Sequence, residues 1–140
     1  MNFQKFKFSN IKNLHLAISV ILIIPIALAF GINPHEILFK LFKIKVETIN
    51  LTNIFRAMMG LYLGISSIWI MGIFKPKLWA MATMTNIIFM GSLALGRLLS
   101  LVLDGPPSIY FVIGLICELT LALWGVMNLK KHSALCNFGS

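Results

Sequence analysis

Four long runs of apolar residues, separated by short polar segments, dominate the chain. They cover about residues 14–32, 54–74, 78–103 and 109–129. An apolar run of about 20 residues is long enough to cross the hydrocarbon core of a bilayer as an α-helix. The pattern therefore predicts four transmembrane helices in a single domain that covers residues 1–140. The fold class that follows is an all-α, integral membrane four-helix bundle.

The segments between the last three runs are short and rich in turn-forming residues. Pro76 stands between two lysines after the second run, and the sequence Asp-Gly-Pro-Pro-Ser at 104–108 follows the third. Proline and glycine mark turns and end helices, and short turns join helices that pack as antiparallel neighbours. We therefore expect the last three helices to lie side by side.

The first run has two interpretations. It holds no charged residue, and a helix bundle tolerates the kink that Pro25 introduces. Basic residues before the run and the small residues Ala27 and Ala29 also match a cleaved secretory signal peptide. We favour a transmembrane helix because the run is long for a signal peptide, and the cleaved alternative stays open at this stage.

The connection between the first and second runs is longer and has a different pattern. Glu36, Lys40, Lys43 and Glu47 recur every three or four residues, which places them on one side of a helix, while apolar residues cover the rest. This pattern predicts an amphipathic segment that lies in the membrane interface between helices 1 and 2. The alternative is a short extended piece through residues 43–47.

Composition excludes several classes of protein. Hydrophobic residues make up 59% of the chain and charged residues 11%, against about 25% charged in ordinary soluble domains. The chain is also too apolar to be disordered. Its net charge of +8 comes mostly from basic residues that flank the apolar runs, where they meet anionic headgroups. We therefore expect the lipid bilayer as a partner and no nucleic acid.

The basic residues also predict the orientation in the membrane. With the N-terminus inside, the inner segments hold seven lysines near the span ends and the outer segments hold three. Positive residues are enriched in cytoplasmic segments. We therefore expect a multi-pass protein of the cell inner (plasma) membrane with both termini in the cytoplasm. The inner lysines are Lys5, Lys7, Lys12, Lys75, Lys77, Lys130 and Lys131, and the outer ones are Lys40, Lys43 and Lys45.

Three charged residues lie within the predicted spans and form the candidate site. Arg56, Arg97 and Glu118 would each cost roughly 2.5 to 3.5 kcal/mol at mid-membrane, so we expect them to face protein or water. Measured from the outer boundary, Arg97 and Glu118 lie roughly 9 and 13 Å deep at 1.5 Å per residue. We predict that these residues, with Asp104 in the adjacent turn, form either a ligand-binding cluster or a structural ion cluster.

Small residues recur every four positions beside these charges. Close approach of membrane helices depends on such small-xxx-small patterns. The pattern therefore predicts helix-packing faces that turn Arg56, Arg97 and Glu118 inward. The predicted packing positions are Gly60, Gly64, Ser92, Gly96, Ser100 and Gly114.

The cysteines and histidines indicate no metal site. Cys117 lies within the fourth run and Cys136 lies in the tail, so we expect two free thiols. The three histidines lie in different places along the chain, without metal-ligand spacing or a facing pair for haem. We therefore expect no metal, no cofactor and no catalytic residue, and an enzyme is the less favoured interpretation.

Several motifs carry a resemblance to a known family. Asn-Ile-Phe-Arg-Ala-Met-Met-Gly at 53–60, Leu-Ala-Leu-Gly-Arg-Leu-Leu-Ser at 93–100, the 104–108 turn and Glu118 resemble, in order and spacing, the bacterial membrane family of domain of unknown function 4345. The resemblance implies a four-helix inner-membrane protein and carries no activity. A more distant likeness to DoxX-like four-helix membrane proteins rests on architecture and would imply redox or quinone association.

Three functions are consistent with this pattern. The leading hypothesis is a binding or accessory component with an intramembrane polar site, whose further partners are a small amphiphilic ligand or a second copy of the chain. A small proton-coupled or amphiphile transporter that works as an oligomer is the alternative. A redox or quinone-associated membrane subunit is the third hypothesis.

The topology prediction is tested by cysteine labelling in intact cells. With Cys117 and Cys136 replaced by serine, Gly105→Cys should react with a membrane-impermeant thiol reagent and Ser133→Cys should not, because the charge bias places 105 outside. Reaction at 133 with protection at 105 would show the opposite orientation.

Overall fold

Long helices make up almost the whole chain. The computed structural model describes the backbone of residues 3–137 and the side chains of residues 12–132. The side chain of Cys136, predicted to be a free thiol, lies outside the described residues. The five α-helices are α1 (Phe3–Gly31), α2 (Pro34–Phe42), α3 (Ile49–Phe74), α4 (Trp79–Asp104) and α5 (Ile109–Asn137), with a 3-10 turn at Pro76–Leu78 between α3 and α4.

Four of these helices are long and apolar enough to cross a membrane. The candidate spans are Lys12–Gly31, Ile49–Phe74, Pro76–Asp104 and Ile109–His132. The all-α membrane bundle expected from the apolar runs is thus confirmed. The second span begins at Ile49 rather than near residue 54, because the Thr48 side chain caps the helix by accepting a hydrogen bond from the Leu51 backbone N–H at 3.1 Å.

The amphipathic segment is helical over only part of its predicted length. Asn33 caps α2 and Pro34 begins it, and the helix ends at Phe42 because Lys43 adopts the left-handed conformation with φ of 59°. Lys43 and Glu47, predicted to share a helical stripe with Glu36 and Lys40, therefore lie outside the helix. That part of the prediction is wrong.

Within α2, Glu36 and Lys40 do form the expected exposed pair one turn apart. The hydrogen bond and charge of Lys40 hold the pKa of the Glu36 carboxyl below its usual value. Leu38, on the opposite side, is buried. The short helix thus presents a polar side outward and an apolar side to the bundle.

The four long helices pack as two tight pairs. α1 lies along α3, and α4 lies along α5, while contacts between α3 and α4 join the pairs. α1 meets α4 and α5 much less extensively. Aromatic and aliphatic side chains fill the shared interior, including Ile23, Tyr62, Trp69, Met90 and Leu121. The seam between α1 and α5 is consequently the loosest part of the bundle.

We name the two ends of the bundle after the segments that lie at each end. The termini end carries Lys12, the Pro76–Leu78 turn and His132, and the α2 end carries α2 and the turn after Asp104. Because α3 and α4 run in opposite directions, residues near the end of α3 lie level with residues near the start of α4.

The small-residue faces predicted to pack lie on the outside of the described chain. A Cβ atom added at Gly60, Gly64 or Gly96 would meet nothing within 4 Å, and Ser92 and Ser100 are exposed. The prediction of helix packing at these five positions is wrong for the single chain. On α3 the physical reason is visible, since the core-facing residues Tyr62, Ser66 and Trp69 occupy the side of the helix opposite Gly60 and Gly64.

Other glycines make the close approaches between helices. A Cβ at Gly31 would collide with Met59 of α3, and a Cβ at Gly72 would collide with Ala82 of α4. At Gly125 it would come within 2.8 Å of Ile87. The helix pairs thus touch through glycines that the four-residue spacing did not identify.

This arrangement predicts which glycines tolerate a large side chain. We expect Gly72→Leu to lower the free energy of unfolding by about 1 to 3 kcal/mol, because the added atoms overpack the contact with Ala82. The matched control Gly64→Leu, in the same helix, should leave stability nearly unchanged. Thermal unfolding of both variants in detergent measures the difference, and equal damage from the two would contradict the observed packing.

Candidate functional site

The centre of the candidate site is an ion pair between α4 and α5. The Nε atom of Arg97 lies 2.9 Å from both carboxylate oxygens of Glu118. Glu118 is only 6% exposed. The short turn after α4 makes α5 its antiparallel neighbour, and the two residues lie at similar distances from that turn. The structure thus brings together two of the four residues expected in the cluster.

The surroundings of Arg97 hold its guanidinium in place. The Cζ atom lies 5.3 Å from the centre of the Phe111 ring, a cation-π arrangement. A Cβ added at Gly114 would be in ordinary van der Waals contact with the same Cζ at 3.7 Å, so the guanidinium packs directly against α5 at this glycine. Gly114 is therefore the one predicted packing position that does lie against a neighbouring helix.

The pair leaves hydrogen-bonding capacity unused. Glu118 engages only Nε, and the two Nη atoms of Arg97 donate no hydrogen bond to the described side chains or backbone. A guanidinium carries five N–H donors in a planar fork. Up to four donors on the Nη atoms are consequently available to a bound molecule.

Arg56 and Asp104 do not join this pair. Arg56 is exposed, and its Nε approaches only the backbone carbonyl of Gly31, at 3.5 Å. Asp104 is exposed and accepts a hydrogen bond from Ser100 at 2.8 Å. The four-residue cluster expected from depth alone is thus wrong, because Arg56 lies on the outward face of α3 and α3 packs against α1 and α4 rather than along α5.

A largely apolar cavity of about 270 Å³ adjoins the ion pair. It lies between α1, α4 and α5, and Phe42 of α2 contributes to its wall. The ring of Phe42 lies 5.4 Å from that of Phe111, so α2 closes this end of the cavity. The lining residues are Leu22, Ile23, Ile26, Phe30, Phe42, Met90, Arg97, Tyr110, Phe111, Ile113, Gly114, Cys117, Glu118 and Leu121.

Two further cavities share walls with this one. A cavity of about 100 Å³ lies at the α2 end and is lined in part by Arg97, Ser100 and Phe111. A shallow groove of about 220 Å³ follows the seam between α1 and α5 and shares Leu22, Cys117 and Leu121 with the main cavity. We call the main cavity and this adjoining groove together the track; Arg97 and Glu118 both line the main cavity.

A protein-family sequence model matches the part of the chain that forms the bundle and the site. The model for a domain of unknown function (DUF4345) matches residues 11–129. The chain belongs to this family. The match includes α2, the ion pair and almost all of the four spans, so the DUF4345 domain is the bundle itself. No curated protein and no solved structure matches the chain.

Sequence reasoning missed part of the DUF4345 site. The cavity takes Ile23 and Phe30 from α1 and Phe42 from α2, and nothing in the spacing of these apolar residues distinguishes them from lipid-facing ones. Polar residues buried near the termini end were missed as well, although they stand inside apolar runs. The cost of burying polar groups in hydrocarbon is the signal that could have identified them.

A double-mutant cycle tests the ion pair. Arg97→Leu and Glu118→Leu should each lower the free energy of unfolding by roughly 1 to 3 kcal/mol, because each leaves a partly buried charge without its partner. The double variant should recover most of this loss, since both charges are then absent. Thermal unfolding in detergent measures the cycle, with Arg56→Leu as the control.

Additive losses in the double variant would show that the two side chains do not interact in the folded protein. If Arg56→Leu lowers the free energy of unfolding as much as Arg97→Leu does, then Arg56 contributes to stability although its side chain is exposed in the described structure.

Proposed function

We propose that this protein is a binding or accessory component of the bacterial inner membrane that holds an amphiphilic molecule in the cavity between α1, α4 and α5. The observation that carries the proposal is the position of Arg97. Arg97 lines a cavity whose other walls are almost entirely apolar. Its two Nη atoms donate no hydrogen bond within the described residues. Ligand sites typically combine apolar walls with a few placed polar groups.

The ion pair restricts the chemistry of the ligand. Glu118 balances the charge of Arg97, so the site carries no net charge, while the Nη donors still require acceptors. A headgroup with carbonyl, hydroxyl or carboxylate oxygens satisfies this requirement, and a strongly cationic headgroup does not. The polar end of the ligand therefore lies at Arg97.

The size and shape of the track indicate a ligand with a hydrocarbon tail. The main cavity of about 270 Å³ corresponds to roughly nine water volumes at about 30 Å³ each, enough for a headgroup and the start of a chain. Beyond Cys117 and Leu121 the groove along α1 and α5 continues toward the termini end with Ile18 and Trp124. A tail extending from Arg97 follows this groove toward the termini end.

Orientation in the membrane forms part of the proposal. The charge bias of the connecting segments supports cytoplasmic termini. With that orientation, Arg97 and Glu118 lie in the outer half of the bilayer, and α2 lies on the outer surface above the cavity.

A cavity-filling variant tests the proposal. Native mass spectrometry of protein purified in mild detergent should show a bound amphiphile on the wild type and on Leu123→Phe. Leu123 is 64% exposed on α5, so that change adds the same ring outside the cavity. Cys117→Phe should lose the adduct, because its ring fills the junction between the cavity and the groove.

Two results would contradict the proposal. One is a wild-type protein that carries no adduct after purification and takes up none from added lipid extract. The other is an adduct that survives equally in Cys117→Phe, with thermal unfolding used to confirm that this variant is folded.

A further inference from the structure

The core near the termini end contains a second group of polar side chains. His15, Ser66, Trp69, Thr83 and Asn86 are each at most 1% exposed. We call these five residues the polar layer. They come from α1, α3 and α4, within the apolar runs that form the candidate spans.

Contacts between the helices place these residues at one level of the bundle. Gly72 meets Ala82 across the antiparallel pair α3 and α4, which sets Trp69 and Ser66 level with about residues 85 to 88 of α4. A Cβ added at Gly125 would lie 2.8 Å from Ile87 and 3.7 Å from the His15 ring. The α1, α3 and α4 members therefore lie at a similar level along the axis of the bundle.

The polar layer is distinct from the Arg97 cavity. Asn86 and Arg97 are eleven residues apart on α4, which corresponds to about 16 Å along the helix axis. The fully buried side chains of Met90 and Ala94 lie between them on the same face.

Six side-chain atoms of the polar layer have no hydrogen-bond partner within the described structure. They are Nε2 of His15, Oγ of Ser66, Nε1 of Trp69, Oγ1 of Thr83, and both Nδ2 and Oδ1 of Asn86. The hydrocarbon of a bilayer supplies no partner, so every unpaired group there is costly. Because buried polar groups in proteins are nearly always paired, the layer requires a bound partner.

The donor pattern defines the chemistry of that partner. The Asn128 amide nitrogen lies 3.0 Å from Nδ1 of His15, so in the neutral imidazole Nε2 carries the proton and is a donor. The indole of Trp69 is also a donor only. None of the five residues is an acid, a lysine or an arginine. The partner is therefore an uncharged molecule with acceptor oxygens.

We propose that the polar layer is a second binding site, which holds an uncharged oxygen acceptor in the core of the bundle. Water molecules and the carbonyl oxygen of a small neutral compound share this chemistry. Either one accepts hydrogen bonds from the ring N–H of His15 and Trp69 and from the Asn86 amide nitrogen. Water in addition donates a hydrogen bond to Oδ1 of Asn86. The site is independent of the amphiphile proposed at Arg97.

The direction in which Asn86→Leu changes the melting temperature tests whether the site is occupied. In an occupied site, Asn86→Leu should lower the melting temperature by several degrees, because the bound molecule loses its amide partners. In a dry core the same change should raise the melting temperature, since it removes an unpaired amide of similar size. Leu16→Met, a volume-conserving change at a fully buried position of α1 that lines none of the three cavities described above, is the control and should change little. A higher melting temperature for Asn86→Leu would overturn the proposal.

A measurement on the wild type covers the case in which Asn86→Leu fails to fold, and it distinguishes the two sources of oxygen. In protein labelled with ¹⁵N-tryptophan, magnetisation transfer from water to the Trp69 indole N–H, assigned through Trp69→Phe, would identify bound water. Absence of transfer, together with a neutral carbonyl compound in the extract of denatured protein, would identify the organic ligand. Absence of both would overturn the proposal.

Discussion

The absence of water from the hydrocarbon core of a bilayer is the constraint on which this structure depends. A polar group within a span must find its partner inside the protein or in a bound molecule. Arg97 and Glu118 meet this requirement by pairing across α4 and α5, and the Asn128 amide meets it through His15. The same constraint supports the two proposed binding sites, at the Nη atoms of Arg97 and in the polar layer.

Unequal helix packing creates the space for such molecules. α1 and α3 touch closely at Gly31, and α4 and α5 touch closely at Gly125, so each pair is tightly packed. α1 and α5 meet near the termini end, where the Asn128 amide lies 3.0 Å from the His15 ring, and the cavity and the groove lie along the seam between the same two helices. α2 packs its apolar side over the end of this seam through Phe42. The short amphipathic helix thus shapes the site as well as lying beside it.

The sequence predicts four long apolar helices and similar depths for Arg97 and Glu118, but not the directions in which the helices face. Apolar length is a local property, so four spans follow from it, and the depths of Arg97 and Glu118 follow from their distance to one short turn. Which side of α3 meets α1 depends on the whole bundle. From spacing alone we expect Gly60 and Arg56 on the face of α3 that points into the bundle. In the structure, Tyr62 and Trp69 occupy that buried face. The end of α2 at Lys43 likewise depends on a left-handed residue that the periodicity of charges does not reveal.

The proposed function depends on Arg97 forming the polar end of an amphiphile-binding cavity. A crystal structure of the protein grown in a lipidic mesophase, at a resolution that shows bound lipid, tests it most directly. We expect elongated density along the seam between α1 and α5, with an oxygen within hydrogen-bond distance of an Nη atom of Arg97. A seam closed at Leu22, Cys117 and Leu121 by contact of α1 with α5, with the Nη atoms directed to the membrane surface, would contradict it.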